Sequence, residues 1–384
     1  MIAIFSDIHF GIHGNSDDYF SVCEEFVDYF VKYLQDHDID KVIFAGDWFD
    51  SRNAINGKVL FGANRCLRKI SSACKEFYMI VGNHDTYERS SIEPNSVEMY
   101  NGLKNVVVLS SPFGLDIGQK RILLVPWIVG GNASLDRGIY KDFSRAFDLV
   151  VGHFDFGAKF FQSSYETSNS LMKVDPFREE TGFTGFIDRV LKKDGVAMTG
   201  HIHNRSEKTC AGRRMIIMGS PYETAAGFTT ECGFYLYDEN NGDISFVKNP
   251  RYPTHVVVKA SEIRDGRIDV ASLSGKVVSF EIDCKCTMEE AAGFQAQITQ
   301  AKPFSYRQNS FSIQMTDDDR QKIENAGGTV SSKSKFDYVL DAINAIDEKT
   351  FEEDGFSKDE LIADAKRFFE SSSEVVNKKN GVFA

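Results

Sequence analysis

The first 250 residues of this chain alternate short apolar runs with longer amphipathic stretches. Short apolar runs are typical of buried strands. Ser16–Gln35 and Gly57–Ala73 carry apolar residues at the three- and four-residue spacing of helices. Such alternation favours a mainly parallel sheet with helices packed against it. The predicted strands are Met1–Phe5, Lys41–Gly46, Glu76–Gly82, Val106–Leu109, Arg121–Trp127, Asp148–Gly152 and Gly195–Gly200.

More closely spaced apolar runs follow after residue 212, as in a strand meander. We therefore predict an α/β fold in which two sheets form a sandwich flanked by helices. Two prolines and a change of composition around 249–254 predict the end of this domain at residue 250. Beyond it we expect a small α+β cap domain at 251–324, a Gly/Ser-rich linker at 325–335 and a helical segment at 336–384.

Polar side chains follow the apolar runs at the point where each run ends. Residues i and i+2 of an extended chain point to the same side, and parallel α/β folds assemble their sites where the strands end. The glycines at 46, 82, 152 and 200 directly precede such side chains, which predicts close backbone approach in a crowded site. The polar residues are Asp7 and His9, Asp47, then Asn83, His84 and Asp85, and later His153, His201 and His203.

In their order along the chain, the motifs DxH, GDxxD, GNHD, GH and GHxH resemble the calcineurin-like metallophosphoesterase superfamily. Within it, the segments SDIHFG and AGDWFDSRN and the C-terminal extension are most similar to the SbcD-type nucleases of double-strand-break repair. The bacteriophage recombination endonuclease subunits are the versions that look closest. The resemblance covers roughly the first 220 residues.

The resemblance implies two divalent metal ions that share one carboxylate, Asp47. The ligands combine imidazole with hard oxygen and include no thiolate, which favours Mn²⁺, with Mg²⁺, Fe²⁺ or Zn²⁺ as alternatives. The family pattern assigns Asp7, His9, Asp47 and His203 to one ion, and Asp47, Asn83, His153 and His201 to the other.

The resemblance also makes His84 the candidate catalytic acid, since it is adjacent to a ligand but is not one itself in the family pattern. It would supply a proton or positive charge to the leaving 3′-oxygen. Asp85 either orients His84 or caps a turn, and the sequence leaves both roles open. SbcD-like enzymes often carry a histidine three residues after the bridging aspartate, whereas this chain has Asp50 there. This departure leaves the balance of exonuclease and endonuclease action open.

The net charge of −12 argues against a protein that grips nucleic acid over its whole surface. The chain also has no GxxxxGK[ST] phosphate loop, so we do not expect it to hydrolyse ATP. Both observations fit what the resemblance implies: a nuclease subunit acting on double-stranded DNA ends and single strands with an SbcC-type ABC ATPase. A homodimer is also expected from the family, with the two predicted helices Ser16–Gln35 and Gly57–Ala73 as candidate contact surfaces.

Two sets of residues are candidates for contacts with these partners. The apolar stripe in the last segment would dock on the ATPase, or else pack on its own chain. The basic residues near the motifs would contact DNA, or else form an ordinary charged surface. The stripe is Leu361, Ala365, Phe368 and Phe369, and the basic residues are Arg52, Arg205, Arg213 and Arg214.

Two other functions remain open at this point. The same metal site would serve a metallophosphatase or small phosphodiesterase, although protein phosphatases usually show GNHE where this chain reads GNHD. A non-catalytic scaffold that binds DNA ends or an ATPase is the third. Seven cysteines without a disulfide framework, no signal-peptide pattern and no apolar stretch of 18 residues predict a cytoplasmic protein without membrane contact, in the host cytoplasm if phage-encoded.

Overall fold

The structure, a computed structural model, describes residues 1–129, 147–154, 186–187, 189–210, 213–308 and residue 362. The chain divides into two compact units, one of Met1–Cys284 with Ala291–Ser312 and the other of Lys285–Glu290 with Ile313–Ala384. The boundary predicted at residue 250 falls inside the first unit and stays a prediction. The linker at 325–335 and the helical segment at 336–384 lie outside the described residues, apart from residue 362.

The described strands and helices are these, in chain order. The strands are β1 Ile2–Phe5, β2 Lys41–Ala45, β3 Glu76–Ile80, β4 Val106–Leu109, β5 Phe113–Ile117, β6 Lys120–Val125, β7 Phe147–Gly152, β8 Leu191–Thr199, β9 Ser206–Cys210, β10 Arg213–Ile217, β11 Gly233–Tyr237, β12 Ile244–Lys248, β13 His255–Lys259, β14 Val277–Glu281 and β15 Ser305–Gln308. The helices are α1 Ile12–Asn15, α2 Asp17–Asp36, α3 Gly57–Ala73, α4 Ala260–Arg264 and α5 Met288–Gln300, with 3₁₀ turns at Glu98–Gly102 and Val270–Leu273.

The strands form two six-stranded sheets. The first has the order β12-β11-β1-β2-β3-β4, in which β1 to β4 are parallel and β11 pairs antiparallel with both β1 and β12. The second has the order β5-β6-β7-β8-β10-β9, in which β6, β7, β8 and β10 are parallel and the edge strands are antiparallel. Several parallel strands of each sheet therefore end at one edge, which is the arrangement that the sequence predicts.

The two sheets pack face to face through a shared apolar core. Ile4 and Ile43 of the first sheet lie in the same buried cluster as Leu124, Val151 and Met198 of the second. Alternate residues of the same strands point the other way, because side chains of a strand alternate between its two faces. The predicted two-sheet α/β sandwich is therefore confirmed.

Helices α2 and α3 cover the outer face of the first sheet, where Phe5 and Phe44 pack in one buried cluster with Phe26 of α2 and Leu67 of α3. The side chain of Ser16 accepts a hydrogen bond from the Tyr19 N–H at the start of α2. Such caps satisfy N–H groups that the first turn of a helix leaves unpaired. Both helices match their predictions to within a residue, and they flank the sandwich as expected.

A third sheet, β13-β14-β15, is small and fully parallel. Tyr19 of α2 links it to the larger sheets, since its hydroxyl group lies 2.6 Å from His255 Nε2 at the start of β13. His255 in turn contacts the carboxylate of Glu223 through its ring and its backbone N–H. Among the described residues, no helix is long and apolar enough to cross a membrane.

Candidate metal centre

All seven predicted ligands meet where the strands of the two sheets end. Asp7, His9, Asp47 and His153 are almost completely buried, although each carries a polar or charged group. Burial of so many such groups is unfavourable unless they are paired with each other or with cations. Four of the ligands have a positive φ, a conformation that side-chain-bearing residues rarely adopt outside functional sites. These are Asp7, His9, Asp47 and His201.

The first ligand group consists of Asp7, His9 and His203. The Nε2 atoms of the two histidines face each other at 2.9 Å. Asp7 Oδ1 lies 3.9 Å from His9 Nε2 and 3.8 Å from His203 Nε2. One ligand atom from each of the three residues therefore lies within 4.8 Å of the others, which is close enough to surround one ion.

The second ligand group consists of Asn83, His153 and His201, together with Asp47. Asn83 Oδ1 lies 2.8 Å from His153 Nε2 and 2.8 Å from His201 Nδ1. His153 Nε2 is also 3.3 Å from Asp47 Oδ2. The amide oxygen, the carboxylate oxygen and the two ring nitrogens thus point at one place.

Asp47 stands between the two groups. Its Oδ2 atom is 3.6 Å from His9 Nε2 of the first group and 3.3 Å from His153 Nε2 of the second. Its other oxygen, Oδ1, accepts a hydrogen bond from the backbone N–H of His84 at 2.7 Å, which fixes the orientation of the carboxylate. Asp47 Oδ2 therefore lies close to both groups, and its role as a bridging ligand stays a prediction.

Burial and mutual charge shift the pKa values of these groups in opposite directions. Burial raises the pKa of Asp7 to about 7 and, with the repulsion of neighbouring imidazoles, lowers that of His203 to about 4 and that of His9 well below its usual value. Burial opposes ionisation of Asp47 and His153 too, but their mutual attraction prevails. It raises the pKa of His153 to about 9 and lowers that of Asp47.

The donor set fits a pair of divalent cations. Two neutral imidazole nitrogens that face each other at 2.9 Å repel through their lone pairs unless a proton or a cation lies between them. The groups combine imidazole nitrogen with carboxylate and amide oxygen, and the described candidate clusters contain no cysteine. This combination suits manganese, iron or zinc.

Neighbouring groups hold three of the ligands in place. His153 Nδ1 donates to the carbonyl of Ala45 at 2.7 Å, His203 Nδ1 lies 2.8 Å from Thr224 Oγ1, and Ser6 Oγ donates to Asp7 Oδ2 at 2.5 Å. Such partners orient ligating side chains and select the tautomer that faces the ion. The sequence analysis missed Ser6 and Thr224, since neither belongs to a motif that points to a metal site.

His84 lies at the edge of the first ligand group and is half-buried. Its ring is 4.9 Å from the ring of His9 and nearly perpendicular to it, and its Nδ1 donates to the carbonyl of Asp50 at 2.6 Å. The Asp50 carboxylate itself lies 3.5 Å from His9 Nδ1. The residue that replaces the expected histidine therefore touches both neighbouring histidines.

Asp85 anchors the backbone of the loop that carries Asp47. Its buried carboxylate accepts hydrogen bonds from the N–H groups of Asp47, Trp48 and Phe49, at 3.0, 2.9 and 3.3 Å, and from that of Gly82 at 2.9 Å. These bonds use both oxygens. They favour the second role that the sequence leaves open, a carboxylate that caps a turn, over direct orientation of His84.

Two glycines allow the loops to approach this closely. A Cβ atom on Gly46 would lie 2.3 Å from Nδ1 of His153, and one on Gly82 would lie 2.3 Å from Oδ1 of Asp47. Gly46 also has a φ of +93°, which disfavours any side chain. The close backbone approach predicted at these positions is present.

Several of the predicted DNA-contact residues contact other residues of the protein. Arg214 pairs with Glu207 at 2.6 Å, and Arg213 donates to the backbone carbonyls of Lys192 and Lys193. The guanidinium group of Arg205 lies 4.2 Å from the centre of the Phe246 ring. Arg52 is half-buried, and burial followed by the repulsion of Arg89 lowers its pKa. The predicted docking residues Leu361, Ala365, Phe368 and Phe369 lie outside the described residues.

Comparison with known proteins agrees with this geometry. The profile of the calcineurin-like phosphoesterase family matches residues 1–205, the part of the chain that supplies all seven ligands. The chain belongs to the calcineurin-like phosphoesterase family. As a member of this family it is a metallophosphoesterase, and the family implies divalent metals, for which the two groups described above are candidate sites.

Among relatives of this phosphoesterase is exonuclease subunit 1 of Enterobacteria phage T4, which is 25% identical over 287 residues, or 74% of this chain and 78% of that protein. An archaeal phosphodiesterase structure aligns with 65% of this chain and 99% of its own at 13% identity and a TM-score of 0.33. A phosphopantetheinyl hydrolase from Mycobacterium tuberculosis aligns with 57% of this chain and 89% of its own at 13% identity and a TM-score of 0.29. The two structural similarities are too low to bear on function.

Proposed function

We propose that this phosphoesterase is a metal-dependent DNA nuclease that hydrolyses phosphodiester bonds at DNA ends and in single strands. The observation that carries the proposal is the pair of ligand groups joined by Asp47 Oδ2, with His84 at their edge. The name of the phage relative, an exonuclease subunit, supports DNA as the substrate. Manganese is the ion that we propose for both positions.

Two bound divalent ions would activate a water molecule near neutral pH and offset the charge of the phosphodiester. The chain's own groups do the rest. Asp7, His9, Asp47 and His203 would hold one ion, and Asp47, Asn83, His153 and His201 the other. His84 donates to the Asp50 carbonyl through Nδ1, so in the imidazolium form its Nε2–H would give the proton to the leaving 3′-oxygen. Asp85 would act indirectly, because its carboxylate holds the loop that carries Asp47.

The test is an assay of the purified protein with Mn²⁺ on blunt linear duplex DNA, single-stranded DNA and a phosphopeptide. We expect nucleotide release from both DNA substrates and none after chelation of the metal. Phosphate release from the phosphopeptide without cleavage of DNA would reject the nuclease proposal and favour a phosphatase. Binding of DNA without hydrolysis of any substrate would favour a scaffold.

We also propose that the chain works with an SbcC-type ABC ATPase, in a recombination and repair complex. The phage relative is named as a subunit, and the present chain has no phosphate loop of its own. The proposed docking face is the apolar stripe in the last segment. Replacement of Phe368 and Phe369 by aspartate should abolish co-purification with the ATPase and leave Mn²⁺-dependent cleavage of single-stranded DNA unchanged. Retained co-purification would move the docking face elsewhere.

A homodimer through α2 and α3 is the third part of the proposal. Three ion pairs join the exposed sides of these helices, Lys58 with Asp17, Arg65 with Glu24 and Lys69 with Asp28. Phe61 of α3 is 71% exposed beside them, which is unusual for so large an apolar side chain. Analytical ultracentrifugation of Phe61→Glu should show a monomer where the native chain is a dimer. Equal sedimentation would exclude this surface.

A further inference from the structure

The chain has two tryptophans, and their surroundings differ. Trp48 is completely buried in the core behind the ligand loops. Trp127 is half-buried and lies two residues after β6, at the edge of the second sheet where His153 and His201 follow their own strands. None of the motifs described above includes this tryptophan, and neither ligand group uses it.

The indole of Trp127 stands beside the second ligand group without stacking on it. Its ring centre is 5.0 Å from the ring of His201 at an angle of 45°, and 6.1 Å from the ring of His153 at 66°. Within the described part of the chain, no aromatic ring lies parallel to the indole. The backbone N–H of Trp127 donates to the carbonyl of Val81 at 2.9 Å, which ties the backbone at this residue to the chain directly after β3.

The charge of the protein makes an uncharged contact useful for binding DNA. The net charge is −12, and two of the arginines next to the last motif, Arg213 and Arg214, are engaged within the second sheet. Affinity for DNA that rests on phosphate contacts falls steeply with salt, whereas stacking of a base on an aromatic ring does not depend on charge.

We propose that Trp127 forms a subsite that stacks one base of single-stranded DNA next to the phosphodiester being cleaved; this inference rests on the nuclease function proposed above. A phosphodiester that binds at the second ligand group has its neighbouring nucleosides within reach of a ring 5.0 Å from His201. An indole face accepts any base, so the subsite selects nucleic acid over other phosphoesters without selecting sequence.

The experiment compares two oligomers of equal length and charge. One is ordinary single-stranded DNA, and the other carries the same deoxyribose phosphates with every base removed. With Mn²⁺, we expect the native enzyme to show a kcat/KM on the order of 10-fold higher on DNA than on the abasic oligomer, as for a single stacked base. Trp127→Ala should lose this preference, and Trp127→Phe should keep part of it.

Two controls separate stacking from structural support. Phe113→Ala removes an exposed aromatic ring of the second sheet that stacks on Tyr78 and belongs to neither ligand group, and should keep the full preference. Calorimetry should show that Trp127→Ala binds two Mn²⁺ ions with native affinity. Quenching of tryptophan fluorescence by DNA should disappear in Trp127→Phe, because the remaining Trp48 is buried.

Equal kcat/KM of the native enzyme on both oligomers would overturn the stacking subsite and leave the nuclease function intact. A Trp127→Ala variant that keeps the native preference for DNA would also overturn the subsite. A variant that binds Mn²⁺ more weakly and loses kcat/KM equally on both oligomers would overturn it too, because the indole would then only support His201. Cleavage of neither oligomer, with hydrolysis of a phosphopeptide, would overturn the nuclease function and the subsite together.

Discussion

Both ligand groups use histidine and aspartate side chains, but the surroundings of His203 and His153 give these two histidines opposite proton preferences. In the first group, the side chain of His203 is 32% exposed, contacts the Thr224 hydroxyl and has a pKa lowered to about 4 by burial and neighbouring imidazoles. In the second, His153 is buried, donates to the Ala45 carbonyl and has a pKa raised to about 9 by Asp47. A motif therefore specifies the ligand, whereas its neighbours decide its charge.

This difference predicts two ion positions that are unequal in solution. Ligation needs the neutral form of an imidazole and the ionised form of a carboxylate. His203 meets this condition throughout the neutral range, and His153 has to give up a proton first. The first group is thus ready for its ion once Asp7 is ionised, and the second group exchanges a proton for its ion.

Loss of Asp47, the residue that both groups share, should weaken both ion positions and so abolish the difference between them. Asp47→Asn removes the negative charge of the carboxylate whose Oδ2 atom contacts both groups, so we expect weaker binding of both ions and a loss of DNA cleavage of about a thousand-fold or more. Calorimetric titration with Mn²⁺ and a cleavage assay measure the two effects. An ion that still binds with native affinity would show that Asp47 belongs to one group only.

Removal of the candidate acid should leave both groups intact. We expect His84→Gln to bind two Mn²⁺ ions as the native enzyme does and to cleave DNA about a hundred- to a thousand-fold more slowly, because general acid catalysis is lost. His37→Gln is a matched control, since His37 is an exposed histidine that bonds to the Tyr33 carbonyl at the end of α2 and contacts no ligand. Unchanged cleavage in His84→Gln would remove this residue from its proposed role.

A change next to His203 should affect the first group alone. Thr224→Val keeps the shape of this buried side chain and removes the hydroxyl group that contacts His203 Nδ1. We expect one of the two ions to bind roughly 10- to 100-fold more weakly. Thr224→Ser, which retains the hydroxyl group, should restore the affinity. Equal weakening of both ions would contradict the separation of the two groups.

A change of pH should distinguish the groups without any substitution. Above pH 7, Asp7 is mostly ionised, so affinity at the first group should level off. Below the pKa of about 9, a proton on His153 competes with the ion, so affinity at the second group should rise about tenfold per pH unit from pH 7 to 9. Mn²⁺ titrations followed by electron paramagnetic resonance at pH 7, 8 and 9 measure this. Parallel pH profiles for the two ions would refute the difference in proton preference.

The sequence predicts the sandwich and the ligand set well for a physical reason. Apolar runs with polar residues directly after them identify strand ends, and parallel strands bring those ends together. Strand β5 was missed because FGLDI is short and contains a glycine and an aspartate, although its apolar residues do alternate, and β8 begins four residues before its prediction because LKKD is polar. Pairing with neighbouring strands holds such short or polar segments in the sheet, and local pattern alone does not identify them.

The neighbours of the ligands were beyond prediction. Thr224 and Ser6 are common residue types, and their contacts with His203 and Asp7 depend on how the backbone folds in three dimensions. The role of Asp85 could not be predicted for the same reason. The sequence shows a carboxylate after GNH, but it does not show that this carboxylate accepts hydrogen bonds from three successive N–H groups of the Asp47 loop. Short motifs therefore identify the predicted ligands, whereas the contacts that orient them depend on the folded structure.

The facing ring nitrogens of His9 and His203 belong to residues 194 positions apart in the chain. Closing a loop of that length has an entropic cost that only the packed sheets can repay, so the pocket is assembled after long-range docking is complete. Metal uptake should therefore be among the last events of maturation. Newly made chains should reach their compact form in a chelator and then acquire activity within the mixing time of added manganese.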